Sequence, residues 1–145
     1  MSVDRVFADT NVILSGILYE HGKEARILNL ALLGRIRLVL AQAVIDETRR
    51  VLHNKFPEEQ DEFEDFLAKA DCDLIAVPSV ERIKRAAALL RDPDDAPVLA
   101  SILASNPDVA LSGDKDLLAD EVKAVAPVCR CADYLREHPE LMTDN

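Results

Sequence analysis

The sequence predicts an α/β fold: a three-layer α/β/α sandwich around a mainly parallel sheet of about five strands. Three observations predict it. Short apolar runs alternate along the chain with longer segments of helical period. Those runs are continuous, as strands buried on both faces are. The chain has 145 residues, 49% of them apolar, which suits one core and one domain over residues 1–145.

Val3 to Ala8 reads as a buried strand, and Val12 to Tyr19 and Glu24 to Leu33 as helices. The second helix is apolar nearly all round. It is therefore buried in the core or used in a subunit contact, a homodimer being one such use. Gly34 stops it, and Ile36 to Ala41 is the second strand. Gln42 to Asn54 is amphipathic, with Val44, Ile45, Thr48, Val51 and Leu52 on one face. Pro57 opens a helix to about Lys69, whose acids make a solvated face and suit the helix dipole. Cys72 to Val77 is the third strand. Ser79 caps a helix through Leu90, with Val80, Ile83, Ala87 and Leu90 in one stripe. Asp92-Pro93-Asp94-Asp95 breaks the chain before a helix to about Ser105. Val109 to Leu111 is a strand, Asp116 to Ala119 a short helix, Val125 to Cys129 the last strand and Ala132 to Glu137 the last helix.

No apolar run reaches the roughly 20 residues of a membrane span. The start of the chain, with Asp9 and Asn11 interrupting its apolar stretch, does not read as a signal peptide, so a cytoplasmic protein is expected. Cys72, Cys129 and Cys131 do not make a disulfide framework. With His21, His53 and His138 scattered, they support a zinc site poorly and read as small buried thiols. The net charge of −10 argues against a nucleic-acid partner, but its distribution softens this. The first 57 residues carry 8 Lys/Arg against 6 Asp/Glu, and the remainder 9 against 21. A positive face in the first part can meet phosphates; an ordinary solvated surface explains most of the charges equally well.

In open parallel sheets, ligands bind beyond the carboxyl ends of the strands. Asp9 directly follows the first strand, and Asp114 follows the fourth after Ser112-Gly113. Either acid alone is more simply a cap or turn residue. Glu47 lies at the margin of its helix's apolar face, where it can lean toward a metal or pair with a nearby cation. Asp92, Asp94 and Asp95 stand at a helix start, where caps are common. Two carboxylates about 4 Å apart repel by roughly 4 kcal/mol at an effective dielectric near 20. A hard divalent cation removes that cost, and an all-oxygen donor set favours Mg²⁺ or Mn²⁺ over zinc.

Taken together, four motifs resemble the PIN-domain family, and within it the subgroup named as toxins of toxin–antitoxin systems. They are Phe7-Ala8-Asp9-Thr10-Asn11-Val12, Val44-Ile45-Asp46-Glu47 with Val51-Leu52, Arg91-Asp92-Pro93-Asp94-Asp95, and Leu111-Ser112-Gly113-Asp114-Lys115-Asp116-Leu117-Leu118. The resemblance covers almost the whole chain. It implies a Rossmann-like fold and metal-dependent ribonuclease activity, with an antitoxin as a partner. It also implies that Asp9, Glu47, Asp95 and Asp114 are the catalytic, Mg²⁺- or Mn²⁺-binding acids. Asp116 matches a further acid, and Asn11 and Ser112 match polar residues that orient the carboxylates. Which of Asp92, Asp94 and Asp95 ligates stays open, with the pattern favouring Asp95. Ala41-Gln42 stands where relatives often have Ser, which costs a helix cap of about 1 kcal/mol.

In a two-metal hydrolysis, one ion activates water and the other stabilises the leaving oxygen. Arg49 and Arg50, within a turn of Glu47, are candidate RNA-backbone contacts or plain solvent-facing charges. The alternative function is a catalytically silent module that binds RNA or a protein partner. Receiver domains and haloacid-dehalogenase-like phosphatases fit poorly, because Asp9 has no acidic neighbour and the position two residues on is Asn11.

Overall fold

A computed structural model describes residues 3–143. Residues 1–2 and 144–145 of the expected 1–145 domain lie outside the described residues. The elements run β1 (Arg5–Ala8), α1 (Thr10–Leu18), α2 (Lys23–Leu32), β2 (Arg37–Ala41), α3 (Gln42–Lys55), α4 (Gln60–Lys69) and β3 (Asp73–Ile75). They continue with α5 (Val80–Ala87), α6 (Ala96–Ser105), β4 (Val109–Leu111), α7 (Asp120–Lys123), β5 (Val128–Cys129) and α8 (Cys131–Glu137). Short 3₁₀ turns cover Pro57–Glu59, Pro93–Asp95 and Pro139–Met142.

The five strands form one parallel sheet in the order β3-β2-β1-β4-β5. This is the expected α/β architecture. The chain builds outward from β1 through β2 to β3, then crosses back and builds β4 and β5 on the other side of β1. The direction of winding thus reverses between β1 and β4, and a crevice opens above their carboxyl ends. Val6, Phe7 and Ala8 of β1, Leu38, Val39 and Leu40 of β2, and Leu111 of β4 are completely or almost completely buried. Burying a side chain of that size is worth about 1.5–3 kcal/mol each, so the central strands anchor the core.

Several boundaries differ from the sequence reading. The expected helix over Asp116 to Ala119 is a turn, and α7 starts at Asp120 instead. The cause is local: the Asp114 side chain accepts the backbone N–H of Asp116 at 2.8 Å, an Asx turn that competes with helix. The third strand shrinks to Asp73–Ile75 at the sheet edge, where Leu74 and Val77 are exposed rather than covered. The fifth contracts to Val128–Cys129 behind Pro127, which has no N–H to give a ladder. Helix α5 ends at Ala87, short of Leu90. The apolar α2 buries Ile27, Leu28, Leu30 and Ala31 but leaves Leu32 and Leu33 exposed, so one stripe and not the whole circumference meets the core.

At the amino ends of the strands the charges are matched. Asp73 accepts from Arg37 Nε at 2.6 Å and from Arg5 Nε at 3.1 Å, and Arg37 also pairs with Asp71 at 2.9 Å. The two guanidinium groups, Arg37 first, hold the Asp73 carboxyl below its ordinary range. Among the described residues no helix is long and apolar enough to cross a membrane.

Candidate metal centre

The carboxyl ends of the same strands carry the opposite arrangement: acids facing acids. Asp9 ends β1 and caps α1, its Oδ1 accepting the backbone N–H of Thr10 at 2.8 Å. Its other oxygen accepts the Ser112 hydroxyl at 2.8 Å. The Asp9 backbone N–H donates to the Leu111 carbonyl at 3.0 Å, so the β1–β4 ladder itself fixes the carboxylate beside the loop that follows β4. The Ser112 oxygen in turn accepts the backbone N–H of Asp114 at 3.0 Å. One buried hydroxyl therefore ties the acid after β1 to the acid after β4.

Asp9 is nearly buried, and no cation among the described residues pairs with it. Burial raises its pKa, and the charges of Asp114 and Glu47 raise it further against the two donated hydrogen bonds. Asp95 closes the 3₁₀ turn before α6 and is half-buried. Burial comes first among the causes that push its carboxyl up to about 6, followed by the charges of Asp114, Asp92, Asp9 and Asp116. Unpaired carboxylates in mutual repulsion at the end of a sheet oppose folding unless a cation joins them.

Asp92, Asp95 and Asp116 each offer an oxygen, and these oxygens lie within 4.8 Å of one another. Asp92 caps its turn by accepting the backbone N–H of Asp94 at 3.0 Å. The Asp94 side chain is exposed. Of the expected ligands, Asp95 and Asp116 lie in this group together with Asp92, whereas Asp9, Glu47, Asp114 and Asp94 do not belong to it. The donors are all carboxylate oxygens, a set that fits a hard divalent ion such as Mg²⁺ or Mn²⁺.

Two cations touch the rim. Arg91 Nη2 lies 3.4 Å from Asp116 Oδ1, and Arg50 lies 4.0 Å from Glu47. Glu47 is the most open of the expected acids, its side chain 48% accessible, and it reaches Asp9 as a field rather than a contact. Its helix starts without a side-chain cap at Ala41, as the sequence implied. Arg49 does not face the crevice freely: its Nε and Nη2 form a two-point pair with Glu64, each at 2.9 Å. Asn11 lines a cleft of about 400 Å³ beside Ser112, together with Gly113, Lys23, Glu24 and Arg130. Sequence reasoning passed over Lys23 and Arg130, since neither sits in a motif; only the fold brings them into one cleft with Ser112 and Gly113.

The cysteines take no part. All three are free thiols, and burial pushes Cys72 and Cys129 up to about 11 and Cys131 up to about 12. They stay protonated at neutral pH and make poor zinc ligands.

Comparison with known proteins agrees with the fold. No curated protein matches the chain. Among solved structures it is similar to a chain of VapBC2 from Rickettsia felis, solved bound to a DNA fragment from its promoter. The TM-score is 0.63 over 87% of this chain and 98% of that one, at 13% identity, a likeness of fold. The family model described as the PIN domain matches residues 5–116, which takes in β1 through Asp116 and every acid of the cluster, and the chain belongs to the PIN domain family.

Proposed function

We propose that the protein is a metal-dependent ribonuclease that hydrolyses RNA phosphodiester bonds, working as the toxin of a toxin–antitoxin pair. The observation that carries the reading is the contrast between the two ends of the sheet. Acids at the amino ends are neutralised by Arg5 and Arg37, whereas Asp9, Asp95 and Asp114 at the carboxyl ends face other acids. Among the described residues these three acids form no ion pair, which leaves them for an external cation.

In this reading Asp9, Asp95 and Asp114, with Asp116 and the more open Glu47 completing the set, hold Mg²⁺ or Mn²⁺. When bound, the ion supplies activation of water and neutralises phosphate charge. Ser112 positions Asp9 and Asp114 through its two hydrogen bonds, as partners of metal ligands commonly do. Membership of the PIN domain family supports nuclease activity. The likeness to the VapBC2 chain supports an antitoxin protein as partner.

The test is cleavage of single-stranded RNA by the purified chain with Mn²⁺. Cleavage that stops on chelation, and in an Asp114→Asn variant with an unchanged circular-dichroism spectrum, supports the reading. RNA held but left intact at saturating Mn²⁺ shows a binding module instead.

A further inference from the structure

The two cations at the rim of the acid site, Arg91 and Arg50, are each drawn to one of its carboxylates, Asp116 and Glu47. The cleft beside the site holds two cations that are not so drawn. We propose that Arg130 and Lys23 form a phosphate-binding subsite that grips the RNA backbone next to the scissile bond. This rests on the nuclease reading for its ligand, and on geometry for its position.

The cleft lies against the loop that ends in Asp114: Ser112 and Gly113 form one wall, Asn11, Val12 and Ser15 of α1 another, and Lys23 and Arg130 contribute the cations. Its volume of about 400 Å³ admits a nucleotide-sized group. Arg130 is the residue after β5, and its place is set by the sheet. Ser112 N–H donates to the Cys129 carbonyl at 3.1 Å, which holds the end of β5 against the β4 loop. The guanidinium Nη1 comes within 3.9 Å of where a Gly113 side chain would begin, one residue from Asp114. That distance is ordinary van der Waals contact, so it places the guanidinium against the β4 loop beside Gly113.

Among the described residues neither Arg130 nor Lys23 forms an ion pair, although both stand near carboxylates. Arg49, by contrast, is taken by Glu64. The cleft also holds one anion, Glu24, whose carboxyl oxygen lies 3.5 Å from the side-chain position of Gly22 at the start of its own helix. Two cations against one anion leave the cleft positive where it borders an acidic cluster. A strand laid across both would meet metal at the scissile phosphate and a fork of N–H donors at a neighbouring one.

The experiment measures binding of a fluorescein-labelled oligouridylate to the full chain by anisotropy, in EDTA and in Ca²⁺, across a salt series. Arg130→Ala and Lys23→Ala are each expected to weaken binding about tenfold. The double variant is expected to flatten the logarithmic salt slope by about 0.7, the share of the one phosphate the two side chains hold. Glu24→Gln is expected to tighten binding. Melting temperature and Mn²⁺ affinity stay at wild-type values, which separates the subsite from the metal centre. Oligodeoxythymidylate is expected to lose affinity in the same variants, because phosphate is what they contact. Unchanged affinity and slope in the double variant, or no binding by the wild type in either buffer, overturns the proposal. If the variants lose binding while the wild type never cuts with Mn²⁺, the subsite stands and the nuclease reading falls. If the wild type cuts and the double variant cuts with unchanged KM, the nuclease reading stands and the subsite falls.

Discussion

The Ser112 hydroxyl donates to Asp9 Oδ2 at 2.8 Å across 103 residues of sequence, and this bond joins the two strands at which the winding of the sheet reverses. Both partners are buried, so the bond is shielded from water. Ser112→Ala removes the side-chain donor that holds the second Asp9 oxygen and the acceptor of the Asp114 N–H. Leaving buried groups unpaired costs about 1–3 kcal/mol. We expect that loss in urea unfolding, together with a drop in RNA cleavage of about 10–100-fold, the range for partners of metal ligands. Wild-type stability in the variant would show that the bond carries no weight.

Asp95 makes the metal-free protein sensitive to pH in an unusual direction. Its carboxyl is raised from 3.8 to about 6 in the folded state. Between those values the folded chain holds a proton that the unfolded chain has lost. The stabilisation is therefore fully present below about pH 4 and is lost as pH rises through about 6. Asp95→Asn removes the repulsion. In EDTA it should raise the melting temperature at pH 7 and change it little at pH 4. With Mn²⁺ the order reverses at pH 7: the wild type gains from the ion by mass action and the variant gains less.

The opposite end of the sheet obeys the ordinary rule for a paired acid. Arg37 and Arg5 lower the Asp73 carboxyl from its usual 3.8. Its contribution is present above that value and disappears as pH falls through the lowered folded one. Asp73→Asn should cost about 1 kcal/mol at pH 7, a modest figure because the group is partly exposed. The deficit should vanish in strong acid. RNA cleavage should stay at the wild-type level, since Asp73 lies at the amino ends of the strands.

Gly16 sets how closely α1 and α2 approach. A Cβ there would stand 2.5 Å from Leu28 Cδ1 and 3.1 Å from the Glu24 carbonyl oxygen. The Leu28 Cδ1 can turn aside, but its Cγ at 2.7 Å and the backbone oxygen cannot easily yield. Alanine would gain about 1 kcal/mol in helix propensity. Overpacking costs about 1–3 kcal/mol, so a net loss of about 1 kcal/mol is expected in denaturant unfolding of Gly16→Ala. Added stability instead would mean that the two helices separate freely.

The strands and most helices were legible because buried runs and amphipathic stripes report directly on burial. Val109 to Leu111 was read to the residue, and Gln42 to within one residue of the end of α3. Legibility failed where side chains compete with backbone. The Asp114 carboxylate draws the Asp116 N–H into a turn where periodicity suggested a helix. It failed again at the sheet edge, where Leu74 is apolar yet exposed. Asp9 and Asp114 were visible as residues that follow strands, and their adjacency follows from strand order. The grouping of Asp92 with Asp95 and Asp116 was not visible, because a cap and a ligand look alike in sequence. The engagement of Arg49 by Glu64 and the arrival of Arg130 beside Gly113 depend on packing between distant segments, which no local pattern records.

The most direct test is an anomalous difference map from a crystal of the full chain soaked in Mn²⁺. The account predicts a strong peak above the carboxyl ends of β1 and β4, with oxygens of Asp9, Asp95 and Asp114 at about 2 Å. A map with no peak there, or with Mn²⁺ bound only by scattered acids of α4, would contradict it.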